Sequence, residues 1–125
     1  MSKTILIVDD SAVVRASVRF SLEKAGYAVV EASDGSDGLA KLSQLSATGV
    51  RPSMILTDVN MPKMDGIRFI KEVKGTPFRF VPILVLTTES ENTKKMQGKE
   101  AGAAGWLVKP FKDDQLLGVV QRFAK

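Results

Sequence analysis

Short apolar runs alternate with longer segments of helical periodicity along the whole chain. The runs that we interpret as strands cover residues 4–8, 27–32, 53–57, 82–86 and 105–108. Each contains about five mainly apolar residues, as in strands that are buried on both faces of a sheet. Strands that alternate with helices are typical of a parallel sheet with crossover helices on both faces. The pattern therefore predicts an α/β fold of five strands and five helices in three layers.

The predicted helices have apolar residues three or four positions apart. Ser11 caps the first helix and Gly26 ends it, while Gly38 interrupts the pattern of the second. The fourth helix, over residues 91–101, is thinly apolar and exposes its lysines, so we expect it to be movable. The residues predicted to face the core are Val14, Val18, Leu22 and Ala25; Leu39, Leu42 and Leu45; Gly66, Phe69, Ile70 and Val73; Met96 and Ala101; and Leu116, Leu117, Val120 and Phe123.

Length and composition limit what the chain can be. Its 125 residues, 44% of them hydrophobic, predict one domain over residues 1–125 with one core. The absence of cysteine and histidine excludes disulfides, thiolate metal sites and histidine-based catalysis. The residues before the first strand are too few for a signal peptide, and no apolar run approaches the roughly 18 residues of a membrane span. We expect a soluble, cytoplasmic protein with no membrane association.

The net charge of +4 raises the question of nucleic-acid binding. The sequence has no long basic run, and its aromatic residues are not interleaved with its lysines, so we expect no nucleic-acid partner. Because several acids gather near Asp58, the rest of the surface must be more positive than the net charge suggests. Such a surface favours an acidic protein partner.

Polar residues follow four of the five predicted strands. They are Asp9 and Asp10, Asp58, Thr87, and Lys109. The carboxyl ends of parallel strands share one edge of the sheet, where ligands bind in open α/β folds. A lone aspartate at a strand end is ordinarily a capping or solvated loop residue, but its neighbours here favour a functional site.

Three acids in one cleft repel one another unless a cation lies among them, and Mg²⁺ prefers ligands that are all oxygen. With Mg²⁺ and the ammonium group of Lys109 offsetting charge, the carboxylate of Asp58 can act as a nucleophile toward a phosphoryl donor. The expected product is an aspartyl phosphate.

Taken together, several short motifs resemble the receiver domain of two-component response regulators, and most closely the stand-alone chemotaxis regulators of the CheY type. The resemblance covers the whole chain and implies a doubly wound, flavodoxin-like fold with strand order 2-1-3-4-5. The motifs are Asp9-Asp10-Ser11, Asp58-Val59-Asn60-Met61-Pro62 with Met64-Asp65-Gly66, Thr87-Thr88-Glu89, Ala101-Gly102-Ala103, and Gly105-Trp106-Leu107-Val108-Lys109-Pro110-Phe111.

The resemblance implies that Asp58 receives a phosphoryl group from a histidine kinase. It also implies a Mg²⁺ ion held by the side chains of Asp10 and Asp58, by the main-chain carbonyl of Asn60, and through water by Asp9. Lys109 is implied to pair with the phosphoryl group.

Further roles follow from the same resemblance. The side chain of Thr87 and the main-chain N–H groups of Asn60 and Thr88 would bind phosphoryl oxygens. The bond between Lys109 and Pro110 would be cis, as an X–Pro bond permits. Asn60 and Glu89 are implied to tune hydrolysis of the phosphoryl group.

Trp106 departs from the family pattern, which commonly has tyrosine or phenylalanine at this position. One interpretation is an ordinary half-buried aromatic residue on a strand. The interpretation that we favour is a switch: Thr87 moves inward, opens space for Trp106, and so couples the site to the face formed by the fourth helix, the fifth strand and the fifth helix.

Two functions remain open at this point. The chain is a monomeric binding switch whose partners are a chemotaxis histidine kinase, the flagellar motor switch protein and a phosphatase, or it is a phosphotransfer intermediate or phosphate sink. A receiver excised from a longer regulator is a further alternative. We expect no enzyme activity beyond the chain's own phosphorylation and dephosphorylation. Haloacid dehalogenase-like phosphatases need an acid where Asn60 stands, and a P-loop motif is absent.

Overall fold

Strands and helices alternate along the chain in the predicted order. They are seen in a computed structural model that describes residues 3–88 and 92–124, without the side chains of residues 92–95. The strands are β1 (Thr4–Val8), β2 (Ala28–Ala32), β3 (Met54–Asp58), β4 (Ile83–Thr87) and β5 (Gly105–Val108). The helices are α1 (Ala12–Lys24), α2 (Gly35–Ala47), α3 (Gly66–Lys74), α4 (Asn92–Ala101) and α5 (Asp113–Phe123).

The five strands form one parallel sheet in the order β2-β1-β3-β4-β5, which confirms the predicted fold. Alternate residues of β1 pack into different layers. Leu6 and Val8 join the core beside α2 and α3, and Ile5 and Ile7 join the core beside α1 and α5. Strands β3 and β4 are buried along their whole length, since helices cover both faces of the sheet. Among the described residues, no helix combines the length and apolar character that a membrane span requires.

Three helices begin at side chains that cap their first turn. The hydroxyl oxygen of Ser11 accepts a hydrogen bond from the N–H of Val14, 3.2 Å away, at the start of α1. Asp34 and Asp65 cap α2 and α3 in the same way. These contacts satisfy N–H groups that have no partner inside a helix. They also fix where each helix leaves the carboxyl edge of the sheet.

Most of the predicted inward-facing residues are buried or partly buried, and two are not. Ala25 is exposed because it is the C-cap of α1, where the chain turns away from the core. Met96 is 59% exposed, while Gly98 and Ala101 face inward from α4. A β carbon added to Gly98 would lie 3.4 Å from Val85 on β4. Small residues thus let α4 lie close to the sheet, and the long side chain of Met96 points away from it.

Gly38, which interrupts the sequence pattern of α2, lies where that helix crosses the core. A β carbon at this position would lie 2.8 Å from the ring of Phe69 and 3.1 Å from Val8. The missing side chain therefore allows α2 to pack tightly against β1 and α3. The glycine that weakens the periodicity of the sequence is a requirement of the packing.

Candidate functional site

The five polar residues that follow the predicted strands lie at one edge of the sheet. Asp9 and Asp10 follow β1, Asp58 ends β3, Thr87 ends β4, and Lys109 follows β5. The strands are parallel and in register, so Asp58 stands beside Leu86, and Thr87 beside Val108. The topology brings together residues that are up to a hundred positions apart in the sequence.

The acids Asp9, Asp10 and Asp58 form a compact cluster. Each offers a carboxylate oxygen, and these oxygens all lie within 4.8 Å of one another. Asp9 is fully buried, Asp58 is nearly so, and Asp10 is exposed to solvent. The cluster is therefore accessible to solvent on the side where Asp10 lies. Its ligand atoms are all oxygen, and such a set can hold a hard divalent cation.

The ammonium group of Lys109 lies beside two of these carboxylates. Its Nζ is 2.7 Å from Oδ2 of Asp9 and 3.5 Å from Oδ2 of Asp58. Buried charges need a partner of opposite sign, and Lys109 partly supplies it for both acids. The peptide bond between Lys109 and Pro110, which follows β5, is cis.

The carboxylate of Asp58 contacts the main chain of the next residue and the side chain of Lys109. Oδ1 accepts a hydrogen bond of 2.7 Å from the N–H of Val59, and Oδ2 faces Lys109. Burial raises the pKa of Asp58 above its ordinary value, and the charge of Asp9 raises it further, while Lys109 and the N–H of Val59 act in the opposite direction. The anion is therefore held in surroundings that disfavour its charge.

Gly66 supports the loop that follows Asp58. Its N–H donates a hydrogen bond of 2.8 Å to the carbonyl oxygen of Val59. A β carbon at Gly66 would lie only 2.0 Å from the carbonyl oxygen of Asp58, far closer than a β carbon approaches any non-bonded heavy atom. The first residue of α3 must be glycine for the helix to start directly against Asp58.

Arg15 also contacts the site, and sequence reasoning missed it. Its guanidinium donates one hydrogen bond to the carbonyl oxygen of Asp9 and another, of 3.1 Å, to the carboxylate of Glu31. Glu31 also accepts a hydrogen bond of 2.7 Å from Arg19, and this contact with Arg19 is the largest influence that lowers the pKa of Glu31. An acid within the otherwise apolar β2 and an arginine one turn after Ser11 are the signals that could have revealed this contact.

Thr87 and Trp106 line a small pocket near the site. Thr87 is buried at 1% exposure, whereas Trp106 on β5 is 41% exposed. Val59, Val85 and other residues complete the lining, and the pocket has room for about one water molecule. An indole therefore cannot enter unless the walls of the pocket move.

The remaining predicted residues lie in the loops around the cluster. Asn60 and Thr88 are exposed, after β3 and β4 respectively. Thr88 lines a groove with Lys109, Pro110 and residues of α1. Glu89 lies outside the described residues.

The chain is similar to a large group of known proteins. The family described as "Response regulator receiver domain" matches residues 5–121. The alkaline phosphatase synthesis transcriptional regulatory protein PhoP of Bacillus subtilis is 40% identical over 111 residues, which are 89% of this chain and 44% of that protein. The sensor histidine kinase CheAY of Helicobacter pylori is 36% identical over 122 residues, 97% of this chain and 15% of that protein. The chain thus spans less than half the length of these two curated relatives.

Solved structures include neighbours of matching length. A structure of the chemotaxis protein CheY4 of Vibrio cholerae superposes with a TM-score of 0.90 at 44% identity, covering 98% of this chain and 99% of that one. A CheY-like receiver domain protein of Methanospirillum hungatei gives a TM-score of 0.87 at 25% identity, covering 98% and 93%. The match therefore extends over nearly the whole fold.

Proposed function

Because the chain belongs to the response regulator receiver domain family, we propose that Asp58 accepts a phosphoryl group from a histidine kinase and that the phosphorylated chain then signals to a partner protein. The observation that carries the proposal is the position of the Lys109 ammonium between the carboxylates of Asp9 and Asp58. Phosphoryl transfer depends mainly on positioning and charge neutralisation, and this arrangement supplies both.

The acidic cluster fits Mg²⁺ by the chemistry of its donors. The side chains of Asp10 and Asp58 and the main-chain carbonyl of Asn60 would hold the ion, and Asp9 would contact it through water. Bound there, Mg²⁺ offsets the charge of the acids and of the phosphoryl oxygens. The fit rests on three carboxylates that share one small volume.

In the transfer step, an oxygen of Asp58 forms a bond to phosphorus while the bond from phosphorus to the imidazole nitrogen of the kinase histidine breaks. The leaving imidazole takes up a proton from water. The N–H of Val59 holds Oδ1, so the carboxylate does not need to reorient during the step. The ammonium group of Lys109 already lies beside Oδ2 of Asp58, and it pairs with the negative charge of the phosphoryl group once that group is attached.

The product stays attached to the chain, so the only chemistry that we assign is phosphorylation and dephosphorylation of the chain itself. Asn60 and Glu89 follow Asp58 and Thr87 by two residues each, and we assign them to tuning hydrolysis. Asn60 is exposed beside the cluster, where it can contact an incoming water.

Phosphorylation adds about 1.5 to 2 negative charges at the carboxyl edge of the sheet. The hydroxyl of Thr87 and the N–H groups of Asn60 and Thr88 then bind phosphoryl oxygens. Movement of Thr87 toward Asp58 enlarges the pocket that it shares with Trp106, and the indole turns inward. An exposed ring thereby becomes buried, which changes the surface formed by α4, β5 and α5.

The partner at this surface is the flagellar motor switch protein, with a chemotaxis histidine kinase as phosphoryl donor and a phosphatase as a further partner. Similarity to the chemotaxis protein CheY4 over nearly the full length of both chains supports this assignment. A receiver that serves as a phosphate sink, or as one part of a longer regulator, is the second candidate. The greater length of the two curated relatives supports only the second of these, one part of a longer regulator.

Intact mass spectrometry tests the first part of the proposal. The parent protein, incubated with acetyl phosphate and Mg²⁺, should gain the mass of one phosphoryl group, and the Asp58→Asn variant should gain none. A parent that gains no mass, or a variant that gains as much, contradicts the assignment.

A pull-down with the isolated motor switch protein, with and without beryllofluoride, tests the partner. Retention only with beryllofluoride supports the motor switch as the target. No retention in either state contradicts the motor switch as the target and supports the second candidate, a phosphate sink or one part of a longer regulator.

A further inference from the structure

The loops at the two edges of the sheet differ in charge. At the carboxyl edge, acids outnumber cations among the described residues: the acids are Asp9, Asp10, Asp34, Asp58 and Asp65, and the cations are Lys63, Lys109 and Lys112. The described loops at the other edge, which we call the amino edge, contain no acid at all. These loops cover residues 25–27, 48–53, 75–82 and 102–104, and their charged residues are Arg51 and Arg79.

A turn at the amino edge, residues 77–80, gathers cations around two aromatic rings. The guanidinium of Arg51 donates a hydrogen bond of 3.2 Å to the carbonyl oxygen of Pro77 and lies 5.8 Å from the centre of the Phe78 ring. The ammonium of Lys74 donates a hydrogen bond of 2.8 Å to the carbonyl oxygen of Arg79. These contacts hold the turn against the end of α3.

The outermost residues of this turn are Arg79 and Phe80. The guanidinium of Arg79 lies 4.9 Å from the centre of the Phe80 ring, and Phe80 is 77% exposed. A guanidinium that stacks on a ring still presents N–H donors along its edge, in the arrangement that binds a carboxylate through two hydrogen bonds. The pair combines an apolar surface with a donor for an anion.

Helix dipoles account for some of the nearby cations but not for these arginines. Lys24 and Lys74 lie in the last turns of α1 and α3, where positive charge is favourable. Arg51 and Arg79 lie in loops. Within the described parts of the chain, no carboxylate lies within 4.0 Å of Arg51, Lys74 or Arg79. Their charge is not neutralised by an ion pair at this edge.

We propose that the amino-edge patch, formed by Arg51, Arg79 and Phe80 above the buried ring of Phe78, docks a carboxylate-rich segment of a partner protein. Carboxylates of the segment pair with Arg51 and Arg79, and an apolar side chain of the segment covers Phe80. Two loop arginines suit a short acidic peptide, whereas a protein that binds nucleic acid commonly neutralises about six to ten phosphates.

This docking is independent of phosphorylation. The patch lies at the end of the sheet opposite Asp58, and it shares no residue with the pocket of Thr87 and Trp106. The chain can therefore stay bound to one protein through the amino edge while the surface of α4, β5 and α5 changes its partner.

Fluorescence anisotropy with a model peptide tests the proposal. The probe is a short labelled peptide that alternates glutamate with leucine, and its control replaces each glutamate with glutamine. We expect the acidic peptide to bind with equal affinity in the presence and absence of beryllofluoride and in the Asp58→Asn variant. We expect the glutamine peptide not to bind, because it lacks the charge that the arginines recognise.

Three variants locate the binding site. Arg51→Gln and Arg79→Gln should each weaken binding by about fivefold, the upper end for an exposed ion pair. Phe80→Ser, at an exposed position that the fold does not need, should weaken binding as well. The matched control is Lys24→Gln, because Lys24 forms a comparable contact with the exposed ring of Phe20, 5.9 Å away, in α1.

Several outcomes would overturn the proposal. One is equal affinity in the parent and in both arginine variants, and another is a loss in Lys24→Gln as large as theirs. Tighter binding of a duplex DNA or of anionic vesicles, with the same dependence on Arg51 and Arg79, would assign the patch to a different class of partner.

Discussion

Arg15 donates a hydrogen bond from its guanidinium to the main-chain carbonyl oxygen of Asp9. The same guanidinium is bound by Glu31, so α1 and β2 together hold the loop that carries Asp9 and Asp10. Residues that hydrogen-bond to metal ligands orient those ligands, and their substitution commonly weakens metal binding about 10- to 100-fold.

The Arg15→Gln variant should bind Mg²⁺ about tenfold more weakly than the parent, because the carbonyl of Asp9 loses its anchor. Isothermal titration calorimetry measures the affinity directly. The matched control is Arg19→Gln. This variant removes a hydrogen bond to Glu31 and keeps the hydrogen bond from Arg15 to the carbonyl oxygen of Asp9. Equal affinity in the parent and in Arg15→Gln would show that the loop holds its shape without this contact.

The raised pKa of Asp58 predicts a pH-dependent gain in stability for Asp58→Asn. Above its folded pKa, Asp58 is charged in both states and the folded state bears the full cost of burying the charge. Below the ordinary value of about 3.8 the group is protonated in both states and the cost disappears. In the absence of Mg²⁺, the variant should therefore be more stable than the parent at pH 7, and the difference should shrink as pH falls.

Urea unfolding at several pH values, with EDTA present, measures this difference. Because we propose that Mg²⁺ binds the carboxylates of the folded parent, added Mg²⁺ should narrow or reverse this difference in stability. A variant that is less stable than the parent at pH 7 without metal would contradict the prediction.

Gly66→Ala should disrupt the site because its methyl group would collide with the carbonyl oxygen of Asp58. We expect a loss of about 1 to 3 kcal/mol in the free energy of unfolding, as for other overpacked positions. Phosphorylation by acetyl phosphate should fall as Asp58 is displaced.

Gly118 in α5 provides the matched control for that substitution. Nothing lies within 4 Å of a β carbon built there, so Gly118→Ala should gain about 1 kcal/mol from helix propensity. If Gly66→Ala were as stable as the parent and accepted a phosphoryl group normally, the helix would have room to move away from Asp58.

Trp106 is the sole tryptophan, and its exposure allows the proposed switch to be followed directly. Beryllofluoride with Mg²⁺ should reduce quenching of its fluorescence by acrylamide, because the indole becomes buried. Thr87→Ala and Asp58→Asn should each abolish this change. Unaltered quenching in the parent would mean that Trp106 remains an exposed strand residue in both states.

The sequence predicted the sheet and the convergence of its polar strand ends because both follow from topology. Parallel strands place Asp9, Asp58 and Lys109 at one edge whatever the details of their packing. Sequence patterns did not reveal the contact of Arg15 with Asp9, since it depends on the reach of one side chain between α1 and the loop after β1. The prediction that Met96 faces the core was wrong for a related reason. In a helix with few apolar residues, such as α4, hydrophobicity alone does not show which face packs against the sheet.

The described loops have an excess of acids at the carboxyl edge and only cations at the amino edge, and this difference contributes an electric dipole moment along the strands. A strongly charged partner exerts a torque on this dipole before contact. The sign of the partner's charge therefore determines which end of the sheet faces the partner during the encounter. Added salt shortens the distance over which this orientation acts, to about 8 Å at physiological ionic strength. Because the chain carries a net charge of +4, encounter rates with acidic partners should therefore fall as ionic strength rises.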